Sequence, residues 1–396
     1  MTANSFRSWF RKLIGQSRVP LRRYSRTILY VDGSHLIRIG YQREFHSPCA
    51  IAQYIACFID HSLDIFAGEY DITAVKVYFD GPLPLARLIR HSHRMRTTTY
   101  PIVGTPRVAE VIAYLTEHYP GHQYYTTLPG EATMQIVKAV IADPLPYPLM
   151  CGSELSLLGG LVFRNHSRGS IYDPLARRPF TIQNYLHYCQ RIGSGVARDF
   201  LFLTTFMGTD LIPLNPYITN PLKFFKAIWH RYQLLVKRPS SVTSSKEYLL
   251  DSHYRLNWRL YFKLLQITLF IEEIFLYDAK PSSQLLVEYL GEWYSHDSVP
   301  LSTRCHQYLQ YLQWTLDYYS GQTTDYKVYY PLPTIPTLHH LYLYLNRVSL
   351  VRSAPSSASL PPLSPAPLSS ASLPPLSPII IYDPLQLQAV GPYHPL

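Results

Sequence analysis

Cysteine is scarce in this chain: five among 396 residues, Cys49, Cys57, Cys151, Cys189 and Cys305, with no C-x-x-C pair. That excludes a small disulfide-stapled scaffold and a thiolate zinc site. An odd count with no visible secretory leader suits a reducing compartment, so the expected localisation is cytoplasmic, with the nucleus as the alternative. Acid is scarce too: 26 Asp+Glu face 36 Lys+Arg, a formal net charge of +10. That balance fits a polyanionic partner. Charged residues are only 16% while apolar residues reach 47% and tyrosine counts 34, which excludes a wholly disordered chain. A membrane span needs roughly 20 mostly apolar residues. The longest apolar stretch, 264–276, is broken by Gln266, Thr268, Glu272 and Glu273, so no membrane partner is expected.

What is present is organised in three parts. Residues 1–214 read as α/β. Near the N terminus Phe6, Trp9, Phe10, Leu13 and Ile14 keep helical spacing, with Arg7, Arg11 and Lys12 between them. This is a first helix of the fold or, by its basic composition, a transit peptide. Strands are expected at 27–31, 75–79, within 121–128 and near 149–151. Helices are expected at 49–67, 107–118, 131–142 and 196–206. Such alternation implies a parallel sheet with helices on both faces. Residues 215–350 lose the strand signal and read as an appended helical layer, with helices at 222–235, 255–276 and 303–319. Residues 351–396 are a Pro/Ser-rich tail. The decapeptide Ser-Ser-Ala-Ser-Leu-Pro-Pro-Leu-Ser-Pro stands at 356–365 and again at 369–378. A tail of that composition is expected to be disordered, to run as polyproline II, and to bind, if anything, an unidentified protein.

Five acids fall where a parallel sheet would present them at one edge. Asp32 and Asp80 each follow an apolar strand and precede glycine. Glu131 opens a helix after Pro129-Gly130, Glu154 follows a strand, and Asp210 follows a helix. Ligands bind at the carboxyl ends of such strands. Clustered carboxylates repel one another unless a cation joins them, and Mg²⁺, with Mn²⁺ as a substitute, is the hard cation for oxygen ligands. Two such ions clamp the attacking and leaving oxygens of a phosphodiester. Taken singly, each acid also has a plain structural reading, as a turn residue or a helix-start acid. Just beyond Asp80, residues 86–94 place Arg87, His91 and Arg94 on one helical face. Such a face suits a phosphate or, more simply, solvent.

Several blocks resemble Xrn-type 5′→3′ exoribonucleases. Residues 200–213, ending Phe206-Met207-Gly208-Thr209-Asp210-Leu211-Ile212-Pro213, resemble that family's FLxxFLxGNDFLP segment. Pro129-Gly130-Glu131 resembles the start of PGEGEHK. Residues 311–319 with Tyr329-Tyr330-Pro331 resemble GLQWxLxYYY…WYYPYHYAP, and residues 5–13 resemble the first helix, GVPxFFRWL, which favours fold over transit peptide. The order of the blocks agrees over about 5–340. The resemblance implies a PIN/flap-nuclease-like core and a monomer that hydrolyses single-stranded, 5′-monophosphorylated RNA with Mg²⁺. It assigns Asp32, Asp80, Glu131, Glu154 and Asp210 to metal and catalysis, and Arg87, His91 and Arg94 to the terminal phosphate. It sets Arg38 and Tyr326 where the family stacks bases. Thr133 and Gly152 stand where the family has carboxylates, and restoring both acids is expected to raise activity. The rival expectations are a catalytically decayed RNA-binding scaffold, favoured by those two departures, and a structure-specific DNA nuclease.

Overall fold

Strand β1 (Tyr24–Asp32) divides its side chains between two cores, and the rest of the architecture follows from that division. Leu29 and Val31 point to one face and Ile28 and Tyr30 to the other, all buried, as a period of two requires. The computed structural model describes residues 3–15, 24–45, 47–88, 106–144, 146–174, 179–209, 211–212, 218, 220–237, 247–278, 300–323, 325–330 and 335–353. Residues 1–346 form one compact unit and 347–396 a second. The second is described only over 347–353, so the expected proline-rich tail lies outside the described residues.

The sheet has six strands in the order β3-β2-β1-β4-β5-β6. They are β2 (Tyr70–Tyr78), β3 (Gln123–Tyr125), β4 (Tyr147–Cys151), β5 (Ser170–Tyr172) and β6 (Phe180–Thr181) around β1. Every pair is parallel except β5 with β6. The chain therefore winds outward from β1 to β2 and β3, then crosses back to β4. The reversal between β1 and β4 leaves a crevice at their carboxyl ends. The α/β class with a mostly parallel sheet stands as expected.

On one face lie α2 (Gly33–Gln42), α3 (Pro48–Phe66) and α4 (Pro106–His118), packing Ile51, Ile55, Ile59, Val111 and Leu115 onto Leu29, Val31 and Val77. By length and composition α3 could cross a membrane, a feature the reading of residues 264–276 passed over. In the fold, its apolar stripe lies on the sheet. The other face carries α1 (Ala3–Gly15), α5 (Ala132–Ala142), α6 (Glu154–Val162), α7 (Ile182–Gln190) and α8 (Val196–Leu203), the last continued by a 3₁₀ turn at Thr204–Met207. This core runs without a break into α9 (Pro221–Lys237), α10 (Trp258–Asp278), α11 (Leu301–Ser320) and α12 (Leu338–Ser353). Aromatic rings join the two parts. Phe225 meets Phe6 edge-on at 5.6 Å and Phe200 at 5.4 Å, and Trp229 meets Phe200 at 4.8 Å. With Phe6, Phe10 and Ile14 buried, α1 is part of the fold. Trp314 is also a core residue, its indole donating to the Asp325 carbonyl at 2.9 Å.

Candidate active site

Strand register places the site. Val31 of β1 pairs with Cys151 of β4, and Cys151 with Tyr172 of β5. The next residue on each strand, Asp32, Gly152 and Asp173, therefore forms one row across the carboxyl edge. Asp32 is not the turn residue that Asp-Gly suggests. It caps α2, accepting the His35 N–H at 2.8 Å through Oδ1, while Thr133 Oγ1 donates to Oδ2 at 2.7 Å. Burial, then the charge of Asp80, push its pKa from 3.8 up to about 6, while Arg38, Thr133 and His35 pull the other way.

Asp80 follows β2 and faces Asp32. Its carboxylate accepts the Ala132 N–H at 2.7 Å, at the start of α5, and its own N–H reaches Ser34 Oγ at 2.8 Å. The loop before α5 is pressed against it: a Cβ on Gly81 would sit 1.9 Å from the Leu128 carbonyl oxygen, so only glycine fits. Gln135 holds this corner. Its Nε2 donates to the carbonyls of Phe79, Leu128 and Gly130 at 3.0, 2.9 and 2.8 Å. It thereby ties the end of β2 to the start of α5.

The other acids are arranged differently. Glu131 is buried at the N-cap of α5 and makes no capping bond. It is paired with Arg87, Nε to Oε1 at 3.6 Å, both side chains under a tenth exposed. Glu154, buried at the start of α6, pairs with Arg11 of α1. The structure thus brings Asp32 and Asp80 together as adjacent charges and gives Glu131 and Glu154 to guanidinium partners. Asp210, His91 and Arg94 lie outside the described residues, and of the expected helix at 86–94 only the turn 85–88 is described.

Arg38 sits beside Asp32, with a guanidinium nitrogen 3.3 Å from His35 Nδ1, and acts as a partial counter-charge to that acid. Tyr326 is half-buried, and its carbonyl accepts the Leu85 N–H at 2.7 Å. Burial, Glu131 and Arg164 all act on its hydroxyl, with the net shift upward. Arg164, which donates from Nε to the Tyr319 carbonyl at 3.2 Å, is a half-buried cation of this corner that the sequence did not single out. Nor did it single out Asp173, fully buried at the end of β5. The residue pattern Tyr-Asp after a short apolar run was its only signal.

Thr133 and Gly152 explain what this site can hold. Thr133 spends its hydroxyl on Asp32. A Cβ on Gly152 would lie 2.9 Å from the Asp32 Cβ, so the position has no room for a side chain. A carboxylate restored there conflicts sterically with Asp32 unless that acid shifts. Among the described residues, no three His, Cys, Asp or Glu side chains are grouped to hold a metal. Mg²⁺ needs only one or two protein carboxylates and keeps its waters. The repelling Asp32–Asp80 pair fits one such ion, while Glu154 is already paired with Arg11.

No known family model and no curated protein matches this chain. Among solved structures it is similar to the catalytic core of Rad2 in complex with DNA substrate, at 14% identity and a TM-score of 0.37, over 60% of this chain and 73% of that one. It is also similar to the bacteriophage T5 D15 flap endonuclease in a complex with DNA and metal ions, at 12% identity and 0.36, over 75% and 100%. The T5 5′-exonuclease with zinc bound stands at 14% and 0.35, over 74% and 100%. Superpositions this loose set no residue of this chain against a residue of those proteins.

Proposed function

We propose that the protein is a 5′→3′ exoribonuclease that takes single-stranded RNA by its 5′ monophosphate and hydrolyses it at Asp32 and Asp80 with a single divalent cation. The observation that carries this reading is the Asp32–Asp80 pair. Asp32 stands at the switch point of the parallel sheet with Asp80 beside it after β2, and burial with the repulsion of Asp80 holds Asp32 near pKa 6. A cation relieves such repulsion. Bound there, Mg²⁺ supplies Lewis-acid chemistry, easing charge on the phosphodiester and on the attacking water.

The chain's own residues do the rest. Asp32 and Asp80 hold their positions through His35, Thr133, Ser34 and Ala132. Arg87, in the short turn that follows the Asp80 loop, is the cation for the terminal phosphate, which has to compete with Glu131 for it. His91, Arg94 and Asp210 join this reading on the sequence resemblance. The net charge of +10 favours the approach of nucleic acid.

A second reading, a nucleic-acid-binding scaffold without hydrolysis, is favoured by the two arginine–glutamate pairs and by the crowding at Gly152. One experiment separates them. The purified full-length chain is incubated with 5′-monophosphorylated single-stranded RNA, and with DNA of the same sequence, in Mg²⁺ or in EDTA. Mononucleotides released from the RNA only in Mg²⁺ are expected. Tight binding with no shortening of either strand overturns the nuclease reading in favour of the scaffold, and shortening of DNA alone overturns the RNA assignment.

A further inference from the structure

We infer that Arg11 is the permanent counter-ion of Glu154, a built-in cation that takes the place of a second divalent ion and keeps Glu154 out of the metal ligands. The inference rests on the single-cation reading above for its metal arm only. Helix α1 is anchored by Phe6, Phe10 and Ile14, all buried. Arg11 follows Phe10 and leaves the core at the carboxyl edge of the sheet, where it pairs with Glu154. The glutamate side chain is 2% exposed and the arginine 21%, so solvent reaches the cation but hardly the anion. Arg11 and Asp173 both act electrostatically on the Tyr172 hydroxyl, in opposite senses. The guanidinium also lies 5.9 Å from the ring centre of Phe180 on β6, so it stands on the β5–β6 side of the sheet as well as beside Glu154.

Among the described residues, three features of this half of the edge oppose a metal there. Glu154 is already neutralised, a carboxylate at Gly152 would crowd Asp32, and the Thr133 hydroxyl is committed to Asp32; Asp173, the other described carboxylate of the row, is fully buried. A divalent ion entering there would have to displace a guanidinium held by its helix. It would also meet the repulsion of that fixed positive charge in a site where charges interact strongly.

The test uses thermal unfolding and Mn²⁺ binding by electron paramagnetic resonance on the full chain. In EDTA, Arg11→Met is expected to lower the Tm, because a buried carboxylate loses its partner. Glu154→Gln in the same protein is expected to recover most of the loss. For Mn²⁺, the wild type is expected to bind about one ion per chain, as a carboxylate pair with retained waters allows. Glu154→Gln should leave that affinity within twofold, while Asp80→Asn abolishes it. Additive Tm losses in the two-residue cycle overturn the inference, as does a tenfold or greater fall in Mn²⁺ affinity on Glu154→Gln, since Glu154 would then be a ligand. A wild type that binds no Mn²⁺ removes the single-cation reading, and the Tm cycle then decides the role of Arg11 alone. If Arg11→Met fails to fold, Arg11→Lys and the neutral Arg11→Gln serve in its place. Lys keeps the charge but loses the planar fork, and a Tm between those of the wild type and Arg11→Gln is the expected result, equality with Arg11→Gln the contrary one.

Discussion

Two buried aspartates in this molecule have much the same solvation and opposite surroundings. Asp199, in α8, is fully buried and accepts three hydrogen bonds: the Tyr232 hydroxyl at 2.5 Å and the N–H groups of Leu249 and Leu250 at 2.7 and 2.9 Å. Its donors come from α9 and from the segment leading to α10, so the acid pins two parts of the helical layer to α8. Asp32 is equally buried, but it faces another carboxylate across the sheet edge. Burial pushes both pKa values up, to about 7 for Asp199 and about 6 for Asp32. Only at Asp32 does a neighbouring acid add to the shift. A structural acid is surrounded by donors; a site acid is left facing a like charge, which the fold tolerates and a ligand relieves.

The largest expected effect comes from removing each acid in turn. Asp199→Ala leaves a hydroxyl and two backbone N–H groups buried without their acceptor, a loss of about 3–5 kcal/mol, measurable by urea unfolding at pH 7. Asp32→Asn keeps the His35 bond, gives Thr133 an amide to bond with, and removes a repelled charge. It should hold or raise stability while abolishing release of mononucleotides. Equal destabilisation by the two substitutions would erase the distinction between them.

The next effect concerns pH. An acid whose pKa is raised on folding favours the protonated folded state, so its contribution is whole below about 4, the unfolded value. It is lost as pH rises through about 6 for Asp32 and about 7 for Asp199. Without divalent cation, stability should therefore fall between pH 4 and 7, with Asp32 accounting for on the order of 3 kcal/mol. Asp32→Asn should remove the share of the decline that ends near pH 6 and leave the share that continues to about 7. Added Mg²⁺ should offset the first part only. A wild-type stability that rises over this range would contradict both raised values.

The comparison also shows what a reader of the sequence could reach. Asp32 and Asp80 were legible because each ends a strand rich in β-branched and aromatic residues and precedes glycine. Asp199 was not, because an acid inside Val-Ala-Arg-Asp-Phe looks like an ordinary helix residue, and its partners lie 33 to 51 residues away. Helix α2 was hidden because Asp32-Gly33 reads as a turn, whereas the aspartate side chain caps a helix. Helix α6 was hidden by Gly159-Gly160, which lower helix propensity. Strands β5 and β6, three and two residues long, are too short to show an alternation, and Asp173 was lost with β5. The arginine pairings could not be read at all, since Arg11 and Glu154 are 143 residues apart.

The smallest expected effect lies at Gly152, beside Asp32. Its Cβ would come 2.9 Å from the Asp32 Cβ and 3.4 Å from Leu157 Cδ1. Neither neighbour is free to give way, because Asp32 is held by two hydrogen bonds and Leu157 is fully buried. Gly152→Ala should cost about 1–3 kcal/mol through overpacking, and it should slow hydrolysis by displacing Asp32 from Asp80. Gly159→Ala in α6 is the control. Nothing lies within 4 Å of the added Cβ, so the gain in helix propensity, up to about 1 kcal/mol, should appear uncancelled. Adding Thr133→Glu to Gly152→Asp introduces two charges next to an acid already repelled by Asp80, and removes the hydroxyl that bonds to it. That double variant should be less stable than either single change at pH 7 and no more active than the wild type. Hydrolysis rising above wild type in the folded double variant would show that Asp32 can move aside, and that its distinction from Asp199 rests on charge and not on packing.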